Sequence, residues 1–161
     1  MTPTEFVFVY GSNMDLAQMS ERCPNSRDKF QPFVAKAEDW RLWFPRYSER
    51  RQGGVGSIAP ANGEVVWGVV FGLTLEDLIR LDRSEGVFVS AYRRDRLAVT
   101  WGNALKQDVW AYFAIPQDTP PRHYMPHQDY LATYIRGAES FKLPADYVEK
   151  LKRIGTSKRA K

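Results

Sequence analysis

Two hydrophobic periods run through the chain. Phe6, Val7, Phe8 and Val9 form a nearly continuous apolar run that meets Gly11, the pattern of a buried strand entering a turn. A helix is predicted next: Ser12 or Asn13 can cap it, Asp15 suits its first turn, Leu16 and Met19 have helical spacing, and Pro24 ends it. Residues 30–44 read as extended, with Trp40, Leu42 and Phe44 alternating with Arg41 and Trp43 as in a half-buried strand. Arg50 to Gly56 reads as a loop before a short strand at Ser57–Ala59. Asn62-Gly63 then marks a hairpin turn before a strand over Val65–Leu73, which Gly68 and Gly72 interrupt as if it bends or admits another backbone. Thr74–Asp82 is predicted helical, since Thr74 and Asp77 match a capping box and Leu75, Leu78, Ile79 and Asp82 follow helical spacing. Strands over Tyr92–Trp101 and Asp108–Ile115 follow. Helices over Gln128–Arg136 and Ala145–Lys152 close the order, with Tyr130, Tyr134 and Tyr147 on faces that can be buried.

Several strands with short helices inserted, and no regular βαβ alternation, predict an α+β fold. Its sheet is small and mainly antiparallel, closed or strongly curved into a barrel, with short flanking helices. Glycines inside strands suit such closure. No GxGxxG or GxxxxGK[ST] follows a strand, which disfavours a doubly wound nucleotide-binding fold. No repeat, low-complexity block or linker divides the 161 residues, so 1–161 is expected to be a single domain, with 153–161 a basic, frayed tail.

Composition narrows the function classes. A hydrophobic share of 43% with five Trp, eight Tyr and nine Phe is enough apolar material for a core and excludes global disorder. No run approaches the roughly 18 apolar residues of a membrane span, and an acid rather than a basic leader stands near the N-terminus; a soluble, unexported, cytoplasmic protein is expected. Cys23 alone forms no internal disulfide, and with His123 and His127 it gives no zinc-ligand spacing, so neither a metal nor a cofactor is expected. The two histidines, separated by Pro126, read as loop residues. The net charge of +4 is concentrated at the C-terminus, where Lys150, Lys152, Arg153, Lys158, Arg159 and Lys161 supply six positive charges with no acid among them. Such a segment is a solvated terminus, and nucleic acid is not the expected partner. Arg41, Arg46, Arg50 and Arg51, interleaved with Trp40, Trp43, Phe44 and Tyr47, could stack on single-stranded nucleic acid, but a sheet face with a solvated arginine edge explains the same letters.

Two segments can carry chemistry. In Val9-Tyr10-Gly11-Ser12-Asn13-Met14 a strand stops and a helix begins, and backbone N–H groups converging there can hold a carboxylate or an oxyanion; a plain turn and cap is the competing reading. Leu81-Asp82-Arg83-Ser84-Glu85-Gly86-Val87 offers two carboxylates at a helix end. Asp82 reads as a helix-terminal residue with local hydrogen bonds. Glu85 is either an exposed surface acid or one walled in by Gly86, Val87 and Phe88, in which case burial raises its pKa toward the range of a general acid/base. There is no GxSxG, so a serine nucleophile has no support.

Tyr10-Gly-Ser-Asn-Met14, Gly-Glu-Val-Val-Trp-Gly-Val-Val from Gly63 to Val70, and Leu-Asp-x-x-Glu-Gly-Val from Leu81 to Val87 together resemble the γ-glutamylcyclotransferase family. Gly53-Gly54, Tyr112, Pro126-x-x-x-Tyr130 and Leu143-Pro144-x-x-Tyr147 extend the resemblance over nearly the whole chain. It implies a small barrel-containing α+β fold with a cavity, and release of 5-oxoproline from a γ-glutamyl amide. By the same resemblance, the backbone around Gly11, Ser12, Asn13 and Met14 binds the γ-glutamyl moiety and Glu85 is the catalytic acid/base. Tyr10 and Tyr112 line the cavity, with Tyr130 a further wall or hydrogen-bond donor. His127 stands where some relatives are expected to carry a small hydroxyl residue, a departure on the leaving-group side.

A γ-glutamyl group carries its own nucleophile, because its α-amine can reach its γ-carbonyl and close a five-membered lactam. The protein then has only to position, deprotonate and stabilise charge. The competing function is a non-catalytic module on the same scaffold that captures a small carboxylate or an anionic partner. The leaving amine is left open among amino acids, peptides, amines and biosynthetic intermediates. Arg46, Arg50 and Arg51, if near the pocket mouth, favour one with a carboxylate. Oligomeric state is not indicated.

Overall fold

The computed structural model describes residues 4–26 and 30–158. Strand β1 (Glu5–Val9) runs into a 3-10 turn at Ser12–Met14 and helix α1 (Leu16–Arg22). The long strands β2 (Phe33–Ser48) and β3 (Gly53–Leu73) follow, then helix α2 (Leu75–Ser84), strands β4 (Tyr92–Val99) and β5 (Gln107–Ala114), and helices α3 (Gln128–Ser140) and α4 (Ala145–Lys152). The sheet order is β2-β3-β1-β5-β4, antiparallel throughout except for the β1–β5 pair. Its two edges curl toward each other until Lys36 and Thr100 exchange backbone hydrogen bonds of 2.9 Å in both directions, which makes a half-barrel. The strongly curved α+β architecture expected from the strand order is thus present.

Both faces of β1 are covered, which is why its sequence reads as continuous rather than alternating. Phe8 and Tyr10 pack inside the curl with Ala35, Val66, Leu97 and Phe113. Val7 and Val9 pack on the other face with Leu78, Leu81, Tyr147 and Leu151 of the helices. Glycine lets α3 lie against the turn after β1, because a Cβ on Gly137 would collide with Met14.

Three local expectations are corrected. Ser12 and Asn13 do not cap α1: they form the 3-10 turn, and Asp15 caps the helix by accepting from the Ala17 amide at 3.2 Å. Asn62-Gly63 is not a hairpin turn. β3 runs through it, and the bend is a bulge in which Gly63, at φ +81°, donates its amide to Asp39 Oδ1 at 2.9 Å. The hairpin lies at Glu49–Gln52 instead. Gly53 to Gly56 belong to the strand, and their missing side chains admit neighbours: a Cβ on Gly53 would stand 2.6 Å from the His127 amide, and one on Gly56 would collide with the Tyr134 hydroxyl.

The basic terminal segment meets the fold as far as Ser157, which accepts from the Gln128 amide at 3.0 Å and donates to Pro126 O at 2.9 Å. Arg159 to Lys161 lie outside the described residues. Among the described residues no helix is long and apolar enough to cross a membrane.

Candidate active site

Chain geometry delivers one carboxylate to the open side of the curl. Thr74 caps α2 by accepting from the Asp77 amide at 3.2 Å, and the helix ends where Gly86 takes the left-handed conformation, φ +67°. An L-residue adopts that conformation at a cost of about 1–2 kcal/mol, so the Gly of Glu85-Gly86 is what lets the chain leave the helix. Glu85 sits at the turning point with its side chain only 14% exposed. The wall around it is not the expected one, however. Phe88 is 69% exposed, and the residues that withdraw Glu85 from water come from other elements: Tyr10, Tyr92, Tyr112 and Tyr130.

The turn after β1 faces this carboxylate. Asn13 Nδ2 donates to Glu85 Oε1 at 2.7 Å. Asn13 Oδ1 in turn accepts from Arg22 Nη1 at 2.8 Å and from Gln18 Nε2 at 3.0 Å. Arg22 Nη1 lies 3.4 Å from Glu85 Oε1. Both contacts to the Glu85 carboxylate fall on Oε1, and among the described residues none falls on Oε2. The Met14 amide is donated to Gly11 O at 3.0 Å and the Asp15 amide to Ser12 O at 3.0 Å, whereas the Gly11, Ser12 and Asn13 amides have no acceptor among the described residues. Met14 is therefore a departure from expectation: its amide is already engaged and its side chain is fully buried.

The remaining polar side chains of the lining are phenols. Tyr10 donates to Tyr112 O; Tyr92 donates to Gly56 O at 2.8 Å; Tyr130 accepts from the Gly56 amide at 3.0 Å and shares a 2.8 Å bond with the Tyr134 hydroxyl. Burial pushes the pKa of each of these phenols above its ordinary value, so they stay neutral and act as hydrogen-bonding groups rather than bases. Burial also raises the pKa of Glu85, opposed by Arg22, the Asn13 amide, Arg51 and Arg50. It is the one carboxylate on the inner pocket's lining, a narrow cavity of about 40 Å³ that shares Ser12, Glu85, Tyr92 and Tyr130 with a vestibule of about 420 Å³.

Asp82 is not satisfied locally. It is buried and bound bidentately by Arg94, at 2.8 and 3.2 Å, and it accepts from the Tyr112 hydroxyl at 2.6 Å. The Arg94 guanidinium also stacks on Trp110, 4.2 Å from the ring centre. One turn before Glu85, Asp82 thus ties α2 to β4 and β5 beneath the pocket. The other candidates separate. His127 caps α3 by accepting from the Asp129 amide at 3.0 Å and is not on the pocket lining. Arg41 stacks on Trp43 at 5.8 Å, away from the site, whereas Arg46, Arg50 and Arg51 line the vestibule.

Sequence reasoning missed Gln18, Arg22 and Tyr92. The first two are four apart on α1, a spacing that puts both on the helix face toward the Ser12–Asn13 turn. Tyr92 had no local signal. Larger cavities exist elsewhere, such as one of about 320 Å³ lined by Trp43, Tyr147 and Leu151, but its lining carries no withdrawn carboxylate. Among the described residues no group of three His, Cys, Asp or Glu could hold a metal ion.

Comparison with known proteins identifies the family of the chain. The model of the AIG2-like family matches residues 65–151. Mouse γ-glutamylcyclotransferase is 30% identical over 155 residues, a match spanning 94% of this chain and 79% of the mouse protein. The human γ-glutamylcyclotransferase is 29% identical over 151 residues, spanning 91% and 77%. A solved γ-glutamyl cyclotransferase structure superposes with a TM-score of 0.85 at 27% identity over 95% of this chain and 89% of that one. Sequence and fold agree, and the chain belongs to the AIG2-like, γ-glutamylcyclotransferase family.

Proposed function

We propose that this protein is a γ-glutamylcyclotransferase that releases 5-oxoproline from a γ-glutamyl amide, with Glu85 as general acid/base. The observation that carries the reading is a single withdrawn carboxylate, tethered through Oε1 and open at Oε2, facing backbone amides that have no acceptor among the described residues.

In this reading the Gly11, Ser12 and Asn13 amides hold the γ-glutamyl moiety, with Tyr10, Tyr112 and Tyr130 forming the wall. Glu85 Oε2 takes a proton from the substrate ammonium. The freed amine attacks the γ-carbonyl, forming the lactam C–N bond and a tetrahedral oxyanion. Glu85 returns its proton to the departing nitrogen as the original C–N bond breaks, and the second proton of the attacking nitrogen passes to the released amine, leaving a neutral lactam and an ammonium. The attacking nitrogen belongs to the substrate, so the chain needs no nucleophile, metal or cofactor of its own. Holding the reacting atoms about 3 Å apart supplies several kcal/mol through proximity. A well-aimed amide contributes about 3 kcal/mol to the oxyanion.

A raised carboxylate pKa fits this cycle, because the group has to accept and give up a proton near neutrality. The test is 5-oxoproline release from γ-glutamyl amino acids, γ-glutamyl amines and glutathione. Release from at least one member is expected. Tight binding of these compounds without turnover would replace the enzyme by the binding-module reading.

A further inference from the structure

The vestibule has a charge the proposed cycle does not use. Arg22, Arg46, Arg50 and Arg51 all line it, and Glu85 is the one carboxylate on its wall. Arg22 is paired with that Glu85. The others meet neutral acceptors or none: Arg46 Nη1 donates to Ile115 O at 3.2 Å, Arg51 Nη2 to Gln18 Oε1 at 2.7 Å while its guanidinium stacks on Tyr130 at 5.1 Å, and the Arg50 side chain has no hydrogen bond or ion pair among the described residues. Three guanidinium charges are thus held around one opening without a protein carboxylate between them. Arg51 is half-buried, and burial together with the charges of Arg50 and Arg22 lowers its pKa. Concentrating like charges beside a partly desolvated site is unfavourable in the empty protein, and a ligand anion relieves it.

The opening is on the side where a leaving group must exit. The inner pocket, with Tyr10 and the Gly11–Asn13 amides, takes the γ-glutamyl end in the proposed reading, including its α-carboxylate. Whatever is attached to the γ-carbonyl therefore extends past Glu85 toward Arg46, Arg50 and Arg51. A simple amino acid brings one carboxylate to three guanidiniums. From this charge count we infer that the acceptor side selects a leaving amine bearing two carboxylates, an acidic amino acid or a peptide with the same two groups, over one bearing a single carboxylate. Arg51, stacked and anchored by Gln18, forms the fixed floor. Arg46 reaches in from the end of β2, and Arg50 on the hairpin is the outermost contact.

This inference rests on the cyclotransferase reading, and one experiment separates the two. Release of 5-oxoproline is measured with γ-glutamylglutamate, γ-glutamylglutamine and γ-glutamyl ethylamide, which carry two, one and no carboxylates on the leaving amine. The first two are nearly isosteric, so their kcat/KM ratio isolates the second charge. The expected ratio is about tenfold in favour of γ-glutamylglutamate, the scale of one charge-assisted hydrogen bond. It should narrow at high salt and collapse toward unity in Arg50→Gln and in Arg46→Gln. Two variants are used so that misfolding of one does not decide the matter. Equal kcat/KM for the glutamate and glutamine substrates, or a ratio unmoved by both variants, overturns the inference and leaves the cyclotransferase reading intact. No release from any of the three overturns the parent reading, and the inference falls with it.

Discussion

Around the inner pocket the phenols of Tyr10, Tyr92, Tyr112 and Tyr130 are each tied to another part of the fold and held neutral, so that Glu85 alone is left to change charge. In the vestibule beside it the groups carry fixed charge, and Arg50 meets solvent. The difference separates two jobs. A proton-transfer group gets its tuned affinity from withdrawal, and every neighbour has to be satisfied elsewhere so that none competes with it. A recognition group must stay charged and reachable, and it contributes in proportion to what the ligand brings.

The division between the two regions rests most heavily on Glu85. Glu85→Gln keeps the shape and the Asn13 contact but removes the titrating oxygen. A loss of about 10²–10⁴ in kcat is expected, as is typical of acid–base groups, with an unchanged circular dichroism spectrum. Next comes the support beneath the pocket. Asp82→Ala leaves Arg94 without its carboxylate and Tyr112 without its acceptor, and should cost about 3 kcal/mol in a denaturant titration, the range for breaking a buried pair.

Proton linkage gives a third test. Burial raises the pKa of Glu85 against the opposing charges of Arg22, Arg50 and Arg51, and the neighbouring phenols of Tyr10, Tyr92, Tyr112 and Tyr130 stay neutral. The folded state therefore binds this proton more tightly than the unfolded chain. The contribution from Glu85 is full below the unfolded pKa and falls as pH rises through the folded one. Glu85→Gln should accordingly lose less stability than wild type between about pH 4, the unfolded glutamate range, and neutrality, read from thermal midpoints across that interval. The smallest local change is Gly86→Ala, which forces an L-residue to φ +67° with its Cβ 3.0 Å from that of Ala91. About 1–2 kcal/mol of stability should be lost, with kcat falling because the turn that carries Glu85 is displaced. At the vestibule rim, by contrast, Arg50→Gln should leave stability within about 0.5 kcal/mol of wild type.

What could be read from the sequence follows the same divide. β1, α2 and the C-terminal helices were legible because their hydrophobic periods and the Thr74 cap are local, and the Gly11-Ser12-Asn13 turn and Glu85 were legible as ordered motifs. Glycine misled where its cause was remote: Gly53, Gly54 and Gly56 suggested a loop, yet they lie in a strand that residues 124–127 and Tyr134 approach closely. Asp82 read as a local helix-end acid because its partners, Arg94 and Tyr112, are 12 and 30 residues away. The burial of Glu85 was anticipated with the wrong wall, since sequence adjacency offered Phe88 while the fold supplied tyrosines from the end of β1, from β4 and β5, and from α3. Arg22 and Gln18 went unseen for a similar reason. Their spacing on α1 was visible, but the site they face is assembled only when α2 packs beside them.

The most direct test of the central claim is the acid limb of kcat/KM for 5-oxoproline release, measured in wild type and in Glu85→Gln. In wild type the rate should rise with pH through a midpoint above the ordinary glutamate range, and the variant should show a low rate without that limb. A folded Glu85→Gln protein that kept the wild-type rate, or kept the same acid limb, would contradict the assignment of the proton transfer to Glu85.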